Sequence, residues 1–133
     1  MSSRKTVGIV GCGTIGSELA HHLERDFRHV AKIVALVDRQ RRAARALQQR
    51  LTSRPPIVTL PELIRRSQLV IEAASAALAP RVVRLALAAN RDVLTMSTGG
   101  LLTSTAWQRA ARHSRGHVYI PSGALGGIDG LKA

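Results

Sequence analysis

The stretch Lys5-Thr6-Val7-Gly8-Ile9-Val10-Gly11-Cys12-Gly13-Thr14-Ile15-Gly16 decides how this chain is read. The apolar run ending at Val10 reads as a buried strand over Lys5–Val10. Glycines then recur as G-x-G-x-x-G, and a helical pattern follows at once. That helix is predicted over Thr14–Arg25, with Leu19, Leu23 and Phe27 at four-residue spacing as its apolar face. A glycine-rich turn between strand and helix is built to cradle phosphate. Gly11 permits the tight turn, Gly13 lets the backbone approach a pyrophosphate, and Gly16 lets helix and strand pack closely. The free amides at the helix start, Thr14 and Ile15 among them, then meet the phosphates. Cys12 reads as a small space-filling residue, with a reactive thiol near the helix start as the alternative.

Moving outward, Lys32–Asp38 is a nearly continuous apolar run, as in a parallel strand buried on both faces. Asp38 closes it roughly 20 residues past Gly16, where a carboxylate can accept from a ribose diol. Arg39, Arg41, Arg42 and Arg45 follow immediately. Arginines there favour a 2′-phosphate and Asp38 disfavours it, so NAD and NADP both stay open. The remaining pattern predicts a helix over Gln40–Leu51, a short strand at Ile57-Val58, a helix from Pro61 to Ser67 and a strand at Leu69–Ala73. It continues with a helix over Ala77–Ala89 (stripe Val82, Leu85, Ala89), a strand at Asp92–Met96, a loop at Ser97–Gly100, a helix over Thr105–His113 and a strand at Val118–Ile120. Alternating strands and helices of this kind give an α/β, Rossmann-type doubly wound and mainly parallel sheet, here of six strands in the order 3-2-1-4-5-6.

Ligands of such sheets sit beyond the carboxyl ends of the strands. Ser75, Ser97 and Thr98 lie there and could line the nicotinamide side, with turn or cap roles as the alternative. Glu72, inside a strand, reads as a structural hydrogen-bond acceptor for a loop. His21, His22, His29, His113 and His117 show no metal spacing, and no metal site or catalytic triad is expected.

The 133 residues are the size of one domain, and 45% of them are hydrophobic with 21% charged, a globular balance. No apolar run reaches the ~18 residues a membrane span needs. The N-terminus lacks a signal-peptide pattern and there is one cysteine, so a cytoplasmic protein without an internal disulfide is expected. The net charge of +12, almost all arginine, attracts polyanions. With one Phe, one Tyr and one Trp there are few stacking platforms, so specific nucleic-acid binding is not expected.

Three further blocks carry a family resemblance: Val70-Ile71-Glu72-Ala73-Ala74-Ser75, Asp92-Val93-Leu94-Thr95-Met96-Ser97-Thr98-Gly99-Gly100-Leu101, and Tyr119-Ile120-Pro121-Ser122-Gly123-Ala124-Leu125-Gly126-Gly127-Ile128-Asp129-Gly130. With Gly11–Gly16 they resemble the L-aspartate dehydrogenase family over essentially the whole chain. Homoserine dehydrogenase and dihydrodipicolinate reductase share the first motif but fit the last block less well. The resemblance implies oxidation of L-aspartate by NAD or NADP to iminoaspartate, which hydrolyses to oxaloacetate and ammonia or feeds NAD biosynthesis. It also implies that the Pro-Ser-Gly-Ala loop reaches the nicotinamide and that Ala124 contacts the cofactor. Members of that family are about twice this length, as two domains require, and their second domain supplies the catalytic histidine. None of the five histidines matches it, so residues 1–133 are expected to be the cofactor-binding portion, with 121–133 starting the connection to a second domain. Apolar surface near Leu125, Ile128 and Leu131 then predicts a homodimer or association through that face. A stand-alone or degenerate dinucleotide-binding module is the alternative.

Overall fold

A computed structural model describes residues 3–103 and 105–121. Its central strands are β1 (Lys5–Val10) and β3 (Leu69–Glu72), flanked by β2 (Ala31–Val37) on one side and by β4 (Asp92–Thr95) and β5 (Val118–Tyr119) on the other. All pairings are parallel, in the order β2-β1-β3-β4-β5. The sheet is Rossmann-like with five strands, not the six predicted. Ile57 makes only an isolated parallel bridge to Leu36. Two hydrogen bonds hold it, Leu36 N to Pro56 O at 2.9 Å and Val58 N to Leu36 O at 3.0 Å. Pro55 and Pro56 have no N–H to extend the ladder backwards. One residue past Val58, Thr59 already caps the next helix, accepting from the Glu62 amide.

Helices cover both faces. α1 (Thr14–Asp26) and α2 (Arg41–Arg50) enclose a core of Val7, Ile9, Ile33, Leu36, Leu47, Leu51 and Ile71. α3 (Leu60–Arg66), α4 (Ala79–Ala88) and α5 (Ala106–His113) lie on the opposite face, over Val10, Leu63, Val70, Val82, Val83, Leu87 and Val93. Each fully buried Leu, Ile or Val in these two layers contributes about 1.5–3 kcal/mol. A bulge shifts the β1–β2 register between Val7 and Gly8, so that Gly8 pairs with Ala35 and Val34 is passed over. Ile33 and Leu36 therefore reach the same face, which strict alternation would forbid.

Two predicted apolar faces are corrected. In α1 the buried line is Gly16, Ser17 and Ala20, with Leu19 and Leu23 partly buried beside it. Phe27 is 52% exposed, because the helix has ended at Asp26 and the chain has turned off its axis. In α4 the buried positions are Ala79, Val82, Val83, Ala86 and Leu87, the i, i+3, i+4, i+7, i+8 set of a broad helical face. Leu85 is only partly buried and Ala89 is exposed at the C-cap. The predicted loop after β4 carries a 3₁₀ helix over Thr98–Thr103. Glu24 ties the end of α1 to the loop after α2, accepting from the Thr52 and Ser53 amides at 2.8 and 2.9 Å.

Candidate functional site

The carboxyl ends of β1, β2 and β3 open into a cleft of about 590 Å³. This is the place where the chain reverses direction across the sheet, with β1 joined to β2 on one side and β3 on the other. Gly11, Gly13, Asp38, Arg39 and Ser75 all line it.

The three glycines of the turn have different physical reasons. Gly11 has φ +100°, and a Cβ there would press into the backbone of Ala73 and Ala74. A Cβ at Gly16 would collide with the carbonyl of Gly11. The fold therefore requires glycine at both. At Gly13 φ is an ordinary −79°, and no atom lies within 4 Å of where a Cβ would stand. Nothing in the described fold needs that space, and Gly13 borders both the cleft and a second hollow beside it. Thr14 and Ile15 follow, both exposed. The first helical bond runs from Ser17 N to Gly13 O at 2.8 Å, no side chain caps α1, and its first turn has no acid. The amides of that turn are the positive end of the helix, though neither Thr14 nor Ile15 lines the cleft itself. Thr14 itself faces the second hollow of about 430 Å³, shared with Glu18, His21 and Arg50.

Asp38 is fixed from two sides. Its Oδ2 accepts from the Cys12 amide and its Oδ1 from the Gln40 amide, both at 2.7 Å. The second bond spans two residues and bends the chain away from β2, as aspartate favours. The first ties the acid to the glycine turn. Both oxygens keep further lone pairs for a hydroxyl. Arg39, Arg41, Arg42 and Arg45 are exposed and pair with no group among the described residues. Arg41 and Arg42 occupy the first turn of α2, which has no acid to oppose their unfavourable interaction with the helix dipole.

The far wall is built by the loop after β3. Ser75 Oγ accepts from the Leu78 amide at 3.2 Å, a local turn bond, while the residue also faces the cleft. Glu72 accepts from the Ala74, Ser75 and Ser97 amides and from the Thr95 hydroxyl, the structural role its position suggested. Ser97 and Thr98 are not among the lining residues, and Thr98 is buried. Cys12 is buried too, its thiol donating to Val37 O at 3.6 Å. Burial, and then the Asp38 charge, push that thiol up to about 12, so it is no reactive nucleophile. Ala124 and the loop it belongs to lie outside the described residues, as do Leu125, Ile128 and Leu131.

Sequence reasoning missed Gln40, Ala73, Ala74, Ala77 and Leu78 as cleft residues. The run Ala73-Ala74-Ser75-Ala76-Ala77 was the available signal, since small side chains at a strand's carboxyl end keep a cleft wide. For Gln40 only its nearness to Asp38 pointed there. Among the described residues no group of three or more His, Cys, Asp or Glu could hold a metal ion. No helix among them is long and apolar enough to cross a membrane.

Known proteins match this architecture. The family described as "Homoserine dehydrogenase, NAD binding domain" matches residues 11–121. An L-aspartate dehydrogenase of Methanocella arvoryzae is 35% identical over 96% of this chain and 48% of its own length. The chain thus spans about half the length of the curated relatives it matches, and it is homologous to their N-terminal half. Among solved structures, GenD2 from gentamicin A biosynthesis, in complex with NAD, is 26% identical with a TM-score of 0.73, over 90% of this chain and 35% of that one. The WlbA dehydrogenase of Bordetella pertussis, 17% identical with a TM-score of 0.76 over 90% of this chain and 37% of its own, shares the fold.

Proposed function

The chain belongs to the homoserine dehydrogenase NAD-binding domain family, and on that premise we propose that its cleft binds NAD or NADP as the cofactor portion of an oxidoreductase acting on L-aspartate. One observation carries the reading. The fold accounts for glycine at Gly11 and Gly16 but not at Gly13, which lines the cleft and whose open space suits a closely approaching pyrophosphate. The amides of Thr14 and Ile15 would take the phosphates, with Gly16 letting the helix start lie close enough to present them. Asp38 would accept from the adenosine ribose, and Arg39 would stand beside it. Ser75 would flank the nicotinamide half, together with Ala124. When bound, the dinucleotide supplies the hydride acceptor. The substrate reading rests on the similarity to L-aspartate dehydrogenases over about half their length. No histidine here matches the family's catalytic position, so proton transfer and most of the aspartate pocket belong to a second domain, and association with a second copy is expected.

Titrating the purified chain with NADH and NADPH at two salt concentrations tests this directly. Saturable binding of at least one is expected, with a weaker salt dependence than binding to a polyanion would show. If neither binds, the cleft is not a dinucleotide site. Aspartate-dependent reduction of NAD(P)+ by this chain alone would overturn the placement of the catalytic group elsewhere.

A further inference from the structure

We infer that Glu72 is a positioning residue, whose carboxylate holds the loops after β3 and β4 in one arrangement and so shapes the nicotinamide end of the cleft. Glu72 ends β3, at the centre of the sheet, and is fully buried. Its Oε2 accepts from the Ala74 and Ser75 amides at 2.8 and 3.2 Å. Its Oε1 accepts from the Thr95 hydroxyl at 2.6 Å and the Ser97 amide at 3.0 Å. One oxygen thus serves its own loop and the other serves the neighbouring strand and loop. No cation pairs with it among the described residues.

A buried carboxylate without a counter-ion is costly, and an apolar residue fills such a place more cheaply, as Val70 and Ile71 do just before it. What only an acceptor-only group does is satisfy two loops at once. The loop it holds on one side carries Ala73, Ala74 and Ser75 into the cleft. The loop on the other side leads into the 3₁₀ helix, where Gly100 abuts the Ala76 carbonyl so closely that a Cβ would collide with it. Asp38 and Arg39 stand at the opposite end of the cleft, at β2. This inference rests on the dinucleotide reading: if Asp38 takes the adenosine ribose, the loop after β3, which Glu72 braces against β4 and the loop beyond it, flanks the nicotinamide.

Glu72→Gln is the informative change. A carboxamide presents one acceptor and one donor, so one pair of protein donors faces an NH₂. Turned toward Thr95 and Ser97 it loses least, because the Thr95 hydroxyl can reverse and accept, and only the Ser97 amide is stranded. The single tryptophan, Trp107, reports on this loop, since its Nε1 donates to Leu101 O in the 3₁₀ helix at 3.1 Å. The experiment titrates the full chain and the variant with NADH and with ADP-ribose, which lacks the nicotinamide ring, and follows Trp107 emission with NAD+. Glu72→Gln is expected to weaken NADH at least tenfold, leave ADP-ribose within twofold, and abolish the NAD+-dependent change in Trp107 emission. Equal losses for both ligands, or no loss for either, would overturn the inference while the dinucleotide reading stands. Failure of the unaltered chain to bind either ligand would remove both. If Glu72→Gln does not fold, Thr95→Val, which keeps the carboxylate and removes one donor, must show the same selective loss in weaker form; equal or absent losses there overturn the proposal.

Discussion

Replacing Gly13 by alanine separates what the glycine turn does for the fold from what it does for a ligand. The new methyl meets no atom within 4 Å, and φ is −79°, so the folded state accepts it without strain. Alanine restricts the unfolded chain, which stabilises by about 0.4–1 kcal/mol. It is a poorer N-cap than glycine by a similar ~0.5–1 kcal/mol. The net change in stability should therefore lie within about 0.5 kcal/mol of zero. Gly16→Ala is the contrast. Its methyl collides with the Gly11 carbonyl, so helix and turn must separate, at about 1–3 kcal/mol. For a chain of this size that lowers the melting temperature by roughly 4–12 °C. Binding should reverse the order of innocence. A methyl at Gly13 holds phosphate away from the amides, and losing one charge-assisted hydrogen bond costs about 1.5–3 kcal/mol, or roughly 10- to 150-fold in Kd. Urea melts paired with calorimetric titration of NADH measure both quantities on each variant. Gly13→Ala that binds within threefold of the unaltered chain, or that melts more than about 1.5 kcal/mol early, would refute the reasoning.

Three other expectations follow from the same geometry. Changing Arg39 and Arg42 together to alanine should weaken NADPH about tenfold and NADH less than twofold, through loss of cations beside the ribose end; parallel losses in a salt-controlled titration would show that they act only through the overall field. Cys12 should react with a thiol reagent at pH 8 far more slowly in the folded chain than in urea. Its folded value, about 12, lies above its ordinary 9.0, so the linked stability is fully present below pH 9 and is lost as pH rises towards 12, which melts across that range would detect. Asp92 is held below the ordinary carboxylate value; partial burial pushes it up, but the Lys5 ammonium and the His117 amide outweigh that. Its contribution is then present above about pH 4 and lost as pH falls through the lowered value. Asp92→Asn should cost about 1 kcal/mol near neutrality, a modest figure because Lys5 is half exposed, and the gap to the unaltered chain should close in acid.

What was legible in the sequence was whatever is encoded locally. The glycine turn, the helix start at Thr14 and the acid after β2 each depend on neighbours in the chain, and all lie where the spacing put them. The helix predicted to start at Pro61 likewise rests on a local signal, and it begins one residue earlier, at Leu60. The errors arose where tertiary contact decides. Phe27 continued the four-residue spacing, but α1 approaches the sheet so closely at Gly16 that only small residues fit beneath it, and the helix ends before Phe27. Ile57 and Val58 have strand-like side chains, yet two prolines before them and a helix cap after them leave room for a single bridge. The bulge at Val34 could not be seen, because a continuous apolar run hides which residue is passed over. Glu72 was recognised as out of place in a strand. Two of its partners, Ala74 and Ser75, lie in the loop that follows it, but Thr95 in β4 and Ser97 beyond it are distant in sequence, and no local pattern announces those two.

The isolated bridge at Ile57 also determines how the sheet behaves towards other chains. β2 is a border strand, and an unpaired border is a template on which a second molecule can add a strand. Here the N–H and C=O of Leu36 are already taken by Pro56 and Val58. The two prolines stand alongside with nothing to donate, and Lys32 adds an exposed charge on the same strand. The segment that falls short of being a strand therefore covers the border at Leu36, a point at which a strand from a second molecule would otherwise pair.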